Sequence, residues 1–307
     1  LVFFVAGLAI VYLLIPGEIK ISSIAVIKAN EHAVFRSLIN QENWQKWWPS
    51  TNPSMVENNK EKFQFQGYNY QIGAKQLDGI EVIMSDKNDS TSTAISPSAL
   101  STDSMLVRWT ATVTTSANPV KRIGEYFKAK GIRQNMDQLL AGFKSFAEKK
   151  ENLYGINIVQ TKVTDTILMV IKKVQKEKPS TNEAYSYIND IKKYIAVSGA
   201  AETNYPMLNI RFLEDKKSYE LMVAIPVNKH LEGNDRITWK RMIPGNILFA
   251  EVEGGEATVE HGIRQMENYV SDNQRVSPAL QYQLLVTDRM KEKDTAKWIT
   301  RIYYPVL

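Results

Sequence analysis

The chain has 307 residues, 44% hydrophobic and 23% charged, a globular composition with length for about two domains. It has no cysteine, which excludes disulfides, Cys-ligated zinc, iron–sulfur clusters and thiol catalysis. The net charge of +5 is spread evenly, with 17 basic against 14 acidic residues in 1–155 and 21 against 19 in 156–307. Basic runs such as Lys121-Arg122 and Lys172-Lys173 do not exceed dipeptides, so no stripe for nucleic acid is present and none is expected as a partner. Three histidines, His32, His230 and His261, form no HExxH pair and accompany no GxSxG motif, so zinc-enzyme and serine-hydrolase readings are weak.

Residues 1–15 (LVFFVAGLAIVYLLI) carry no charge and are closed by Pro16-Gly17. As a helix they would span roughly 22 Å, short of the roughly 30 Å hydrocarbon core, a gap that a few residues ahead of Leu1 would close. No small-x-small cleavage site follows. The expectation is therefore an uncleaved transmembrane anchor over 1–17 that places the protein in a bacterial inner membrane, on a side the flanking charges leave open. A buried N-terminal strand or helix is the alternative.

From Glu18 to residue 152 the pattern is that of one domain. Ile19, Ile21, Ser23, Ala25 and Ile27 alternate with Lys20, Ser22, Ile24, Val26 and Lys28 as in a strand. Asn30 is placed to cap a helix bearing Val34 and Leu38 on one stripe. Trp44, Trp47 and Trp48, half of the six tryptophans, then demand a large apolar partner surface. Further strands are expected over 62–72, 75–84, 91–96 and 105–115. A helix is expected from Ile132 to about Lys149, with Met136, Leu139, Leu140, Phe143 and Phe146 on its apolar face. The opening, with Ala29, Val34 and Phe35 followed by Trp44 and Trp47, resembles the START-like helix-grip superfamily that includes polyketide cyclase-like and lipid-transfer domains. That resemblance implies a curved antiparallel sheet gripping a long C-terminal helix around a ligand cavity. No carboxylate or histidine pair in it suggests catalysis.

Over 155–307 the pattern is strand, helix, strand, strand, given twice. The first cycle takes 166–174, 182–197, 207–213 and 219–227; the second takes 246–253, 258–273, 281–286 and 297–306. The fold class is α+β with a pseudo-twofold sheet. Tyr219, Glu220, Leu221, Val223, Ile225, Pro226 and Val227, the turn Pro244-Gly245, and the terminal Trp298, Thr300, Ile302, Tyr303, Pro305 and Val306 make this region similar to the GyrI-like effector-binding family. The resemblance implies a groove between the repeats for small, often flat or cationic molecules, lined by acidic and aromatic side chains.

Candidate ligand-binding residues are Tyr219, Trp239, Phe249, Glu251, Trp298, Arg301 and Tyr303. Many GyrI-like relatives carry glutamate at the position of Arg301. Alternation places Arg301 with Tyr303 and Ile299 on one face, and Glu251 with Phe249 and Ile247 on another. If both faces meet in the groove, Arg301 neutralises Glu251 or receives an anion; otherwise it points to solvent. No catalytic residue, cofactor or metal site is expected. The function expected is binding of a small hydrophobic or amphipathic molecule. The alternatives are a cyclase or hydrolase using Glu251, and a protein-interaction or structural module without an open cavity.

Overall fold

The computed structural model describes residues 11–49, 63–76, 79–87, 89–164 and 167–307. The chain divides into two compact units, up to Leu153 and from Tyr154 onward, each containing one antiparallel sheet with helices.

In the first unit six strands run β1 (Glu18–Ile27), β2 (Phe63–Phe65), β3 (Tyr68–Gln76), β4 (Gly79–Ser85), β5 (Ser90–Ser101) and β6 (Ser104–Thr114), with the spatial order β1-β6-β5-β4-β3-β2. The helices are α1 (Glu31–Ile39), α2 (Gln41–Trp44), α3 (Pro119–Ala147) and α4 (Lys150–Tyr154). The Asn30 side chain accepts from the amides of His32 and Ala33, satisfying two donors that the first turn of α1 leaves open. β2 and β3 form a hairpin where one strand was expected, because Gln66 and Gly67 both adopt positive φ (46° and 83°), the geometry of a type I′ turn.

The long helix α3 starts 13 residues earlier than its apolar stripe suggests. Asn118 caps it, accepting from Val120 and Lys121, and Pro119 occupies its first turn. Its early apolar residues Val120, Ile123 and Phe127 are exposed, so no core-facing periodicity announces that half. The second half lays Ile132, Met136, Leu139 and Phe143 into the core, packing chiefly against β1. Trp44, Trp47, Trp48, Tyr70, Trp109 and Phe143 are all buried in that core. Trp44 and Trp48 stack at 5.3 Å, and Trp47 meets Phe143 edge-on at 4.9 Å.

The expected membrane helix is not supported, and the inner-membrane location falls with it. Among the described residues no helix is long and apolar enough to cross a membrane. Of the segment 1–17, residues 1–10 lie outside the described residues; among the described 11–17, residues 11–14 are helical before the chain bends toward Pro16. Helix α3 has the length, at 29 residues, but carries Lys121, Arg122, Glu125 and Lys128 within its first ten positions, which a hydrocarbon core does not accept.

The second unit is one eight-stranded sheet in the order β11-β8-β10-β9-β13-β14-β12-β7. The first repeat is β8 (Ile167–Gln175), α5 (Thr181–Val197), β9 (Met207–Leu213) and β10 (Ser218–Pro226); the second is β12 (Asn246–Glu253), α6 (Glu256–Asp272), β13 (Tyr282–Leu285) and β14 (Ile299–Val306). The repeats join where β13 pairs with β9, Gln283 opposite Leu208 and Leu284 opposite Met207. Two strands not expected from sequence, β7 (Val159–Lys162) and β11 (Thr238–Arg241), close the outer edges. Every residue of both is exposed, so neither shows the alternation that reveals a half-buried strand.

Alternation divides the sheet into two faces. Met169, Ile171, Leu208, Leu221 and Val223 pack under α5 with Ile188 and Ile191. Leu168, Val170, Met207, Ala224 and Leu284 form a separate cluster on the other face. Helix α6 lies close on its strands: a Cβ on Gly262 would come within 2.5 Å of Ile302 Cδ1.

Candidate functional site

At the seam between the repeats, the N-terminal turns of α5 and α6 border a cavity of about 410 Å³. Its apolar lining includes Leu208 and Ile210 of β9, Ala184 of α5, and Val259 and Ile263 of α6. Tyr219 and Trp298 also line it. These two occupy equivalent positions, each seven residues before the proline of its repeat's last strand, Pro226 and Pro305. Tyr219 meets Phe212 edge-on at 5.1 Å, and the Trp298 indole N–H donates to the Glu292 carbonyl at 2.9 Å, which fixes the ring.

The charges around this cavity differ in kind. Lys178, in the loop before α5, is held between Glu256 and Glu260 of α6, and those carboxylates push its ammonium above its ordinary value. Arg289, in the loop between β13 and β14, lies with its guanidinium 4.9 Å from the Trp298 ring centroid and donates to Thr300 Oγ1 at 3.0 Å. Burial lowers its pKa, against the weaker opposing pull of Tyr185 and Glu256. The Arg289 backbone N–H donates to the Tyr185 hydroxyl at 2.8 Å, tying that loop to α5. Burial in turn raises the Tyr185 phenol.

The structure distributes the seven candidate residues over three places. Tyr219 and Trp298 line the seam cavity. Phe249, Glu251, Arg301 and Tyr303 lie on the opposite face of the sheet, since Arg301 pairs with Leu284, a residue of the helix-free cluster. There Phe249, Tyr303 and Tyr282 form a ladder across three strands, with ring centroids 5.7 and 5.1 Å apart. Arg301 Nε donates to Glu251 Oε2 at 2.8 Å, with the two side chains 39% and 48% exposed. Trp239 sits on edge strand β11 against His230, ring centroids 4.6 Å apart.

The helix-free face holds a second hollow of about 460 Å³, lined by Leu168, Val170, Met207, Met222 and Tyr282. Asn209 also lines it and donates through Nδ2 to the Gln281 carbonyl at 2.7 Å. Farther along this face Glu220, buried, is gripped by Lys172 and Arg211. Burial raises its carboxyl pKa, but hydrogen bonds from those two cations win and hold it below the ordinary value. Sequence reading did not single out Arg289, Lys178 or Asn209. The first two stand in loops outside any periodic element, and Asn209 interrupts the apolar alternation of β9 without a motif around it.

No protein-family model matches the chain, and no curated protein sequence does. Solved structures similar to it include the EcmrR C-terminal domain, at 14% identity over 50% of this chain and 98% of that one, with a TM-score of 0.43. They also include SAV2435 bound to tetraphenylphosphonium, at 14% identity over 49% and 94% of the two chains, TM-score 0.34. A third is a hydrolase from Listeria innocua, at 10% identity over 49% and 92%, TM-score 0.36. At these values the likeness carries no argument about function, which rests on the chain's own geometry.

Proposed function

We propose that the second unit is a GyrI-like binding module that takes a small amphipathic molecule into the seam cavity and does not turn it over. The observation that carries this reading is the convergence of equivalent aromatic residues, Tyr219 and Trp298, with the first turns of both repeat helices around one hollow of mixed apolar and polar lining. Concave apolar sites with a few polar groups are the usual form of small-molecule pockets. A hydrolase or cyclase built on Glu251 has less support, because that carboxylate is half exposed and hydrogen-bonded to Arg301. For the first unit we propose a START-like helix-grip domain serving as a packed scaffold, a reading supported by the aromatic side chains that occupy the space between sheet and α3.

The test is native mass spectrometry of the purified chain for a co-purifying small molecule, followed by thermal-shift titration with naphthyl and biphenyl amphiphiles. Tyr219→Ala and Trp298→Ala should each weaken binding about tenfold, as loss of an aromatic wall does, while Phe249→Ala on the opposite face leaves it unchanged. An empty chain whose melting temperature no amphiphile moves, or equal losses in all three variants, overturns the proposal.

A further inference from the structure

Among the charged groups lining the seam cavity, Arg289 is the one that makes no close ion pair among the described residues, although Glu256 attracts it from across the cavity. One guanidinium face lies on the Trp298 indole and one N–H is used by Thr300 Oγ1. A guanidinium has five N–H donors in a planar fork, and the described residues use one of them here. The cavity's two carboxylates are placed differently. Glu256 and Glu260 are 65% and 50% exposed, they share the single Lys178 and so keep one negative charge between them, and Glu256 also stands in the first turn of α6, where the helix dipole favours negative charge. Solvent screens such rim charges more than it screens the partly buried Arg289. The cavity thus presents mixed apolar and polar walls, an aromatic shelf and one cation outside any close ion pair, flanked by the N-terminal turns of two helices.

We infer that the seam cavity selects a carboxylate carried on an aromatic or aliphatic body, with Arg289 receiving the carboxylate through its fork and Trp298 and Tyr219 flanking the body. This rests on the reading of the cavity as a ligand site and adds the charge of the ligand. It also reverses the cationic preference that the family resemblance implies. An Arg–carboxylate pair made with two parallel hydrogen bonds is both stronger and more directional than a contact between neutral groups. Ligand binding would leave the Arg301–Glu251 pair in place, since that pair is on the other side of the sheet.

The experiment is isothermal titration of the full chain with three probes of one shape: 2-naphthoate, 2-naphthamide and 2-naphthyltrimethylammonium. The carboxylate should bind at least about tenfold tighter than the amide, and the ammonium weakest. In Arg289→Gln the carboxylate should lose about tenfold while the amide stays within about twofold, and Arg289→Lys should fall between, keeping charge without the fork. Amide or ammonium binding as tight as the carboxylate leaves the cavity a ligand site and overturns the charge assignment. If none of the three binds, the ligand-site reading fails and this inference with it. Should Arg289→Gln not fold, the order of the three probes on the unmodified chain still decides.

Discussion

Arg301 and Glu251 stand directly opposite each other on β14 and β12, joined by an Nε to Oε2 hydrogen bond of 2.8 Å, on the sheet face that does not carry the helices. The pair is half exposed, so its coupling should be that of a surface ion pair, about 0.2–1 kcal/mol in a double-mutant cycle of Glu251→Gln and Arg301→Gln. Arg301→Glu places like charges opposite each other and should cost about 1 kcal/mol in urea denaturation. It should leave ligand affinity at the seam unchanged; a shift in probe selectivity in that variant would put Arg301 in the site.

Glu220 should make the second unit acid-sensitive. Its folded pKa lies below the unfolded value, because Lys172 and Arg211 outweigh the opposing effect of burial. The unfolded state therefore binds the proton more readily. The stabilisation is complete above the ordinary carboxylate pKa and is lost as pH falls through the folded value. Glu220→Gln should be less stable than the parent at neutral pH by about 1.5–3 kcal/mol, the worth of hydrogen bonds to charged groups. The difference should shrink as pH is lowered from about 5 toward 2, measured by denaturant midpoints across that range.

Two glycines of the first unit should respond in opposite directions to alanine. A Cβ at Gly79 would stand 2.2 Å from the backbone carbonyl oxygen of Ile95, an atom that moves only with its strand, so Gly79→Ala should cost at least about 1–3 kcal/mol. Gly142, inside α3 and exposed, has nothing within 4 Å of the added carbon. Gly142→Ala should stabilise by about 0.5–1 kcal/mol through helix propensity. Thermal melts of the two variants check both signs.

Trp44 should be among the costliest positions to truncate. It is fully buried, stacks on Trp48, and donates its indole N–H to the Leu38 carbonyl at 2.7 Å. Trp44→Ala should lose about 3–5 kcal/mol and most of the near-ultraviolet circular dichroism of the tryptophan cluster. A variant within about 1 kcal/mol of the parent would contradict the packing described.

The chain carried its local structure openly wherever a repeat spacing coincided with burial. The cap at Asn30, the stripe Met136, Leu139, Leu140 and Phe143 of α3, and the two strand–helix–strand–strand cycles are all visible as apolar periodicity. Periodicity failed where nothing is buried. Edge strands β7 and β11 and the first half of α3 face solvent, and the hairpin turn at Gln66-Gly67 depends on backbone angles that Gln66 does not advertise. The apolar run at the start of the chain shows the converse, since hydrophobicity without a described helix of spanning length does not establish a membrane segment.

The candidate site was legible by residue type but not by place. Sequence alone named Tyr219 and Trp298 as candidates in the last strands of the two repeats, and placed Arg301 and Glu251 in strands. Only the tertiary structure decided that the first pair shares a cavity while the second shares the far face, because a strand's alternation gives two faces without saying which one the helices cover. It also decided that Arg289, in an aperiodic loop, lines that cavity without a close ion pair among the described residues. Whether a charge is paired depends on which carboxylates the fold brings within reach, and that distance is not written in the order of residues along the chain.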